Sequence, residues 1–274
     1  MRIQFLGTAA AEGIPALFCN CETCRTARQR GGKDLRRRTA YLVDDDTMVD
    51  FGPDIFWQSM AYGIELEKIQ RLLISHSHPD HLAVKELQWR AMGYCNVDTD
   101  MTLYGDQAVM DTLHAEMEYF TPQRYHLRLQ LAFPGDTFTD GDMTITAIRA
   151  SHACPPEIPL NYVIQRGGVT ALIGHDSGWW REESWEILRR FKLDIVVMEG
   201  TCGFGQPDYQ SYHMGANAVV RLHDELRKQG ILKEDATAVV SHFSHNGHAL
   251  HDHLEEFFAP HGIQVAYDGM VVER

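Results

Sequence analysis

Short apolar runs separated by turn residues dominate the first third of the chain. Runs of apolar and β-branched residues bounded by Gly, Asp and Asn are typical of strands. This pattern predicts strands at residues 3–6, 39–43, 48–51 and 72–75, with a hairpin around the three aspartates at 44–46. The opening of the chain is therefore predicted to be rich in strands.

Helical and strand patterns alternate over the rest of the chain. Apolar residues recur at helical spacing over 83–92, 107–119, 180–191, 215–229 and 249–258. Strand patterns return at 126–132, 143–150, 162–165, 169–173, 194–198 and 238–240. Such alternation predicts an α/β fold in which helices cover sheets, and we expect two packed sheets with helices outside.

The composition sets limits on size and location. With 274 residues, 44% of them hydrophobic, the chain can fill the core of one large domain spanning residues 1–274. No stretch approaches the roughly 20 apolar residues of a membrane helix. Residues 1–5 have the pattern of a strand and not of a signal sequence. We expect a soluble, cytoplasmic protein without a membrane partner.

The charge argues against one class of partner. A formal net charge of −13 disfavours proteins that hold nucleic acid by neutralising many phosphates, because that mode requires clustered Lys and Arg. The basic run Arg36-Arg37-Arg38 is interpreted as a solvated turn that leads into a strand. Extended nucleic acid is therefore not an expected partner.

The run H-S-H-P-D-H at residues 76–81 directly follows the predicted strand 72–75. It places His76, His78, Asp80 and His81 together at the end of that strand. Imidazoles and carboxylates are ligands for Zn, Mn and Fe. The chain has 15 histidines, but the strand context and the carboxylate among the imidazoles favour half of a two-metal site over a polar loop.

Three more candidate ligands follow predicted strands farther along the chain: His152, Asp176 and His242. Each alone is a common polar strand end, but together they complete the mixed set of ligands that two neighbouring divalent ions require. We predict His76, His78 and His152 on one ion, Asp80, His81 and His242 on the other, and Asp176 bridging both. A hydroxide between the ions is the expected nucleophile, because metal binding lowers the pKa of water to about 7.

Cysteine spacing indicates a further metal site. Cys19, Cys21 and Cys24 are too close together for ordinary mutual disulfides and are spaced like metal ligands. Such thiols fit a reducing compartment. The scattered Cys95, Cys154 and Cys202 are predicted to be small buried hydrophobes.

The motif H-x-H-x-D-H, together with the later His152, Asp176 and His242, resembles the metallo-β-lactamase superfamily. This resemblance implies a four-layer αββα sandwich and a metal-dependent hydrolase. The run V-D-F-G at residues 49–52 also resembles that family's buried Asp-x-Gly segment, which implies that Asp50 supports a metal-binding histidine. We expect His175 to be a packed or supporting residue and not a further ligand, since neighbouring strand residues point to opposite faces.

The cysteines favour one branch of this superfamily. With His245 they make a closed Cys₃His set of the kind that holds a structural zinc, in a knuckle at about residues 19–26. This combination resembles the PhnP family, phosphodiesterases of the carbon-phosphorus lyase pathway, over nearly the whole chain. The resemblance implies catalytic roles for Asp80 and for His213, the latter as proton donor or transition-state stabiliser. Residues 88–128 do not align convincingly with that family.

The expected function is hydrolysis of a small phosphodiester, cyclic or nucleotide-like, with two divalent ions (Mn, Zn or Fe) and one structural zinc. One alternative is an RNA-processing nuclease of the tRNase Z type, although no basic RNA-holding arm stands out. Another resembles PqqB of redox-cofactor biosynthesis, and the intact ligand set favours hydrolysis over it. A third is a noncatalytic protein that binds metal or a phosphate ligand. A homodimer is compatible with each of them.

Overall fold

The computed structural model describes residues 1–152 and 155–274, so the prediction for Cys154 lies outside the described residues. The elements of the first half are, in chain order, β1 (Arg2–Gly7), α1 (Glu22–Arg30), β2 (Ala40–Val43), β3 (Thr47–Val49), α2 (Ile55–Tyr62), β4 (Arg71–Leu73), α3 (Val84–Leu87), β5 (Met101–Gly105), α4 (Gln107–Glu116) and β6 (Leu127–Leu131). The elements of the second half are β7 (Thr137–Asp140), β8 (Met143–Arg149), β9 (Leu160–Arg166), β10 (Val169–Gly174), α5 (Glu182–Leu188), β11 (Leu193–Glu199), α6 (Ala216–Lys228), β12 (Leu232–Ser241), α7 (His251–Phe258), β13 (Ile263–Val265) and β14 (Val271–Glu273).

Over the described residues these strands form two sheets of seven strands each, in the orders β14-β1-β2-β3-β4-β5-β6 and β13-β12-β11-β10-β9-β8-β7. The first sheet is antiparallel from β14 to β3 and parallel from β3 to β6. The second is antiparallel from β7 to β10 and parallel from β10 to β13. The parallel half of the second sheet agrees with the alternation of helix and strand predicted for this part of the chain, because parallel neighbours need a crossover connection.

Alternating strand residues divide the interior into three cores. In β11, Ile195 and Val197 pack between the two sheets, whereas Val196 and Met198 pack against the helices. Helices α5, α6 and α7 cover the outer face of the second sheet, and α2, α3 and α4 cover that of the first. Each fully buried aliphatic side chain contributes about 1.5–3 kcal/mol to this packing. The predicted four-layer αββα sandwich is confirmed.

The predicted elements differ from the structure in several places. The helical pattern over residues 83–92 yields only α3 and a following 3₁₀ turn, because Ala91 is extended and the Arg90 side chain donates a 2.8 Å hydrogen bond to the carbonyl of Thr99. Among the elements without a counterpart in the prediction are strands β5, β7 and β13 and helices α1 and α2. In the described part of the chain, none of the helices has the length and apolar content to cross a bilayer.

The structure also corrects the interpretation of the basic run as a solvated turn. Arg36 is only 4% exposed and donates hydrogen bonds to Thr8 Oγ1 and to the carbonyl of Ala266. Arg37 pairs with Asp268, and Arg38 pairs with Asp54. A buried guanidinium is stable only with such partners. These arginines therefore hold the fold together and do not form a basic binding surface.

Candidate metal centre

The carboxyl ends of several strands bring the candidate ligands to one edge of the sandwich. Parallel strands β3 and β4 end there in the first sheet, and β8, β10 and β12 run in a common direction in the second. The side chains that follow these five strands are, in order, Asp50, His76, His152, Asp176 and His242. Open α/β sheets collect their chemistry at this edge, outside the carboxyl ends of the strands.

His76, His78, His152 and Asp176 form a first group, whose potential ligand atoms all lie within 4.8 Å of one another. Asp176 Oδ2 lies 3.4 Å from His76 Nε2, and Asp176 Oδ1 lies 3.3 Å from His152 Nδ1. His152 Nε2 lies 3.4 Å from His78 Nδ1. Atoms that share one ion through bonds of about 2.0–2.2 Å have separations of this order, and each imidazole offers one of its two nitrogens to that ion.

Asp80, His81, Asp176 and His242 form a second group of the same size. His81 Nε2 lies 2.9 Å from Asp80 Oδ2 and 3.0 Å from Asp176 Oδ2. His242 Nε2 lies 3.8 Å from the same oxygen of Asp176. Asp176 belongs to both groups, so its carboxylate stands between the three histidines of the first and the residues of the second.

The backbone turns sharply where these strands end. Asp50, Asp176 and His242 have φ angles of 64°, 50° and 59°, in the left-handed region that residues other than glycine seldom adopt. Each such residue costs on the order of 1–3 kcal/mol and persists only where its surroundings hold it. The turns send the side chains into the site, and the contacts around them have to maintain that geometry.

The converging atoms fit divalent metal ions. Within the described residues, His76 Nε2, His81 Nε2, His152 Nδ1, Asp176 Oδ1 and His242 Nε2 are buried and have no hydrogen-bond partner. Buried polar atoms are nearly always paired in folded proteins, so five orphaned atoms that face one another need a common partner. Imidazoles with carboxylates form a donor set suited to Zn, Mn or Fe.

Burial and charge set the protonation of these ligands. Burial is the largest influence on His242 and lowers its pKa to about 3, and it also holds the pKa of His76 well below the usual value. Burial opposes ionisation of Asp176, but His242, His213 and His81 outweigh it and hold the pKa of Asp176 well below the usual value. His76 and His242 are thus neutral imidazoles beside the ionised Asp176, which are the forms that bind metal. Burial lowers the pKa of His81, but the carboxylates of Asp80 and Asp50 outweigh burial and hold that pKa well above the usual value.

Asp50 supports the second group through the ring nitrogen of His81 that does not face Asp80 and Asp176. Its Oδ2 atom lies 2.6 Å from His81 Nδ1 and 2.5 Å from His175 Nε2, and its Oδ1 accepts the backbone N–H of Ser75 at 2.8 Å. Asp50 and both histidines are at most 1% exposed. His175 therefore pairs with Asp50 and stacks on the His81 ring without being a member of either ligand group. Asp50 orients the His81 ring so that Nε2 faces Asp80 and Asp176.

Sequence reasoning missed two residues that support His242. Thr201 Oγ1 lies 2.8 Å from His242 Nδ1 and also contacts Glu199, whose Oε2 accepts the backbone N–H of Thr201 at 2.8 Å. Burial raises the pKa of Glu199 to about 8. Glu199 ends β11, between the strands that deliver Asp176 and His242, so the same strand-end rule applied to β11 would have found it.

His213 lies beside the shared carboxylate. Its Nδ1 is 3.2 Å from Asp176 Oδ1 and 3.9 Å from Glu199 Oε1, and its side chain is 29% exposed. Burial lowers the pKa of His213, but Asp176 and Glu199 outweigh burial and raise that pKa to about 9. These carboxylates favour the protonated form of His213, which lies at the rim of the site outside both ligand groups.

The cysteine knuckle forms a separate cluster of four ligands. Cys19 Sγ and Cys21 Sγ each lie 3.5 Å from His245 Nδ1, and Cys24 completes a set within 4.8 Å. Burial raises the pKa of Cys21, but hydrogen bonds from the Cys24 backbone and from His245 outweigh burial and lower that pKa to about 6. A thiolate is the form that binds zinc, so the set fits a closed Cys₃His zinc site.

Of the scattered cysteines, the two that the structure describes depart from their predicted burial. Cys95 and Cys202 are half-buried and not fully buried, although burial still raises the pKa of Cys202 to about 11.

The family is shown by sequence. The family model described as "Beta-lactamase superfamily domain" matches residues 46–243, which include every residue of both candidate ligand groups. Coenzyme PQQ synthesis protein B of Cupriavidus necator is 25% identical over 98% of this chain and 98% of its own length. Ribonuclease Z of Limosilactobacillus fermentum is 25% identical over 56% of this chain, and the match spans 46% of that protein.

Solved structures share the fold. A diphosphatase from the PhnP family superimposes with a TM-score of 0.76 at 20% identity, covering 100% of this chain and 97% of that one. Zn²⁺-bound PqqB from Methylobacterium extorquens has a TM-score of 0.76 at 18% identity, with full coverage of both chains. At these identities the likeness establishes the fold alone. With the family match, it identifies the chain as a metal-dependent hydrolase of the metallo-β-lactamase superfamily that is similar to PhnP.

Proposed function

We propose that this protein is a metal-dependent phosphodiesterase that hydrolyses a small phosphodiester, cyclic or nucleotide-like. The observation that carries the proposal is the pair of adjoining ligand groups that share Asp176. Two ions held a few ångström apart are suited to an in-line displacement at phosphorus, because they stabilise both the attacking and the leaving oxygen. The likeness to a PhnP-family diphosphatase supports a phosphorus ester as the substrate.

In this proposal His76, His78 and His152 hold one divalent ion, Asp80, His81 and His242 hold the other, and Asp176 bridges them. The ions are Mn, Zn or Fe, and Cys19, Cys21, Cys24 and His245 hold a structural zinc. When bound, the active-site pair supplies Lewis acidity and lowers the pKa of a water molecule to about 7.

His213 and Asp80 would each carry one of the two proton transfers of the hydrolysis. The oxygen of a water molecule forms a bond to phosphorus, the ester P–O bond breaks, and the leaving alkoxide takes a proton. His213 is the proposed donor of that proton: its Nδ1 faces Asp176 and Glu199, which leaves Nε2–H for the substrate. Asp80, which belongs to the second ligand group beside Asp176, is the proposed acceptor of the water proton.

The other interpretations remain distinguishable. The ribonuclease Z matches favour RNA as an alternative substrate, but a net charge of −13 and the internal pairing of Arg36, Arg37 and Arg38 weigh against a long RNA. The full-length match to coenzyme PQQ synthesis protein B supports a role in cofactor biosynthesis. A noncatalytic binder would keep the same ligands without turnover.

The experiment is a turnover assay of the purified protein with bis-p-nitrophenyl phosphate, after chelation and after addition of Mn²⁺ or Zn²⁺. A cyclic nucleotide and a precursor tRNA are tested in parallel. We expect metal-dependent release of nitrophenol and hydrolysis of the small diester. Cleavage of the tRNA alone would replace the proposal by a nuclease, and silence across the panel would leave a binding protein.

We also propose a cytoplasmic location, which the free cysteines Cys19, Cys21 and Cys24 support, because closely spaced thiols persist best in a reducing compartment. A homodimer is part of the same proposal, and light scattering of the purified protein tests it.

A further inference from the structure

Glu12 lies between the cysteine knuckle and the active-site loop. Its Oε1 atom accepts a hydrogen bond from Ser244 Oγ and lies 3.4 Å from His245 Nε2. The other ring nitrogen of His245, Nδ1, faces the sulfur atoms of Cys19 and Cys21. A carboxylate on the far nitrogen of a metal-binding histidine fixes its tautomer and the orientation of its ring. Glu12 therefore stands where it can hold His245 toward the thiols.

The segment that Glu12 holds also carries His242. Ser244 and His245 are only two and three residues beyond His242. The backbone N–H of Ser244 donates to the carbonyl of Thr201 at 3.3 Å, and Thr201 Oγ1 lies 2.8 Å from His242 Nδ1. Both contacts tie the position of Ser244 to the orientation of the His242 ring.

The backbone around Glu12 is bound to the same segment. Phe243 N–H donates to the carbonyl of Thr8 at 2.9 Å, and Ala10 N–H donates to the carbonyl of Phe243 at 2.9 Å. Residues 8–12 and 242–245 thus form one hydrogen-bonded unit that reaches from the knuckle to the active site. His242 needs such support, because its left-handed φ of 59° is unfavourable without it.

We propose that Glu12 is a positioning residue that couples the Cys₃His site to His242, so that zinc in the knuckle tightens metal binding by Asp80, His81, Asp176 and His242. The coupling rests on the proposed two-metal function. The coupling does not extend to the ion held by His76, His78 and His152. In the described part of the chain, the segments of these three residues make no backbone hydrogen bond with residues 8–12.

The test is a Mn²⁺ titration followed by electron paramagnetic resonance, on protein that retains zinc in the knuckle. Mn²⁺ suits the test because thiolates prefer zinc, whereas carboxylate and imidazole accept manganese. Wild-type protein is expected to bind two Mn²⁺ ions. Glu12→Ala is expected to weaken one of the two sites about 10-fold, the lower end of the effect seen when an outer partner of a ligand is removed. Glu12→Gln should recover part of the loss, since its amide oxygen can accept from Ser244.

Two variants that each keep only one ligand group show which Mn²⁺ site Glu12→Ala weakens. His78→Ala leaves the second group, and there Glu12→Ala is expected to weaken Mn²⁺ binding. His242→Ala leaves the first group, and there the same change is expected to have no effect. Ser244→Ala removes the hydroxyl that donates to Glu12. It should weaken Mn²⁺ binding at the same site as Glu12→Ala and leave the other site unchanged. Glu65→Ala, at an exposed pair with Lys68, is the matched control and should change neither site.

The outcomes separate this inference from the function on which it rests. Two tight Mn²⁺ sites in both Glu12→Ala and Ser244→Ala would overturn the coupling and leave the phosphodiesterase proposal standing. Equal weakening of both sites would also overturn it, because a general loss of stability has no preference for one group. A wild type that binds no pair of ions at the active site with Mn²⁺, Zn²⁺ or Fe²⁺ would instead remove the two-metal function.

Discussion

Asp50 Oδ2 lies 2.6 Å from Nδ1 of His81, which leaves Nε2 of His81 as the ring atom that faces Asp80 and Asp176. We expect Asp50→Asn to weaken binding of the second metal ion about 10- to 100-fold, because outer partners of ligating histidines tune affinity by this amount. A Mn²⁺ titration measures the change. Asp45→Asn, at a side chain that is 76% exposed, serves as the control. Unchanged affinity in Asp50→Asn would remove Asp50 from the support of the site.

His213→Ala is expected to retain both metal ions and to lose activity about 10²-fold or more, because a positioned acid contributes on that order. The loss should be larger for an alkyl diester than for bis-p-nitrophenyl phosphate, since nitrophenolate leaves without a proton. Measurement of kcat for the two substrates checks this difference. An equal loss with both substrates would contradict proton donation and leave His213 a role in stabilising charge.

Glu157 connects the loop after His152 to the peptide between two ligands of the first group. Its carboxylate accepts the backbone N–H of Ser77 at 2.6 Å and Ser77 Oγ–H at 3.0 Å. Glu157→Gln can keep only one of these bonds well, so we expect about 10-fold weaker Mn²⁺ binding at the first group and little change at the second. The measurement is the same titration in the His242→Ala and His78→Ala backgrounds.

Ser77→Ala removes only the hydroxyl and should have a smaller effect on the first group than Glu157→Gln. The double variant should be less than additive, since the two residues share one contact. Full additivity, or an effect confined to the second group, would show that the Glu157–Ser77 pair does not position His76 and His78.

Asp176→Ala is expected to abolish turnover and to lower the content of both active-site metals, because this residue alone belongs to both ligand groups. The zinc of the knuckle should stay, and metal analysis by mass spectrometry measures both. Retention of two active-site ions with turnover near that of the wild type would exclude a bridging role.

The sequence allowed the sandwich and the ligand candidates to be predicted because both follow local rules. Strand β4 ends just before the run of histidines, and β10 and β12 end just before Asp176 and His242. Since the direction of a strand determines the edge at which its carboxyl end lies, a strand-end histidine already carries positional information.

The remaining features depend on contacts between distant segments. Strand β5 was not predicted, although it carries strand-forming residues, and its pairing with β4 and β6 buries it. The burial of Arg36 depends on the carbonyl of Ala266, 230 residues away in the chain. Neither the link from Glu12 to Ser244 nor that from Glu157 to Ser77 follows a periodic pattern, so only the folded chain reveals them.

The central claim is that seven side chains from distant segments hold a pair of cations across Asp176. Crystals grown with Zn²⁺ or Mn²⁺ and measured at the corresponding absorption edges test it most directly, by anomalous diffraction. The account predicts two anomalous peaks in the active site, one among His76, His78 and His152 and the other among Asp80, His81 and His242, with Asp176 in contact with both. A single peak, or metal found only at the cysteine knuckle, would contradict it.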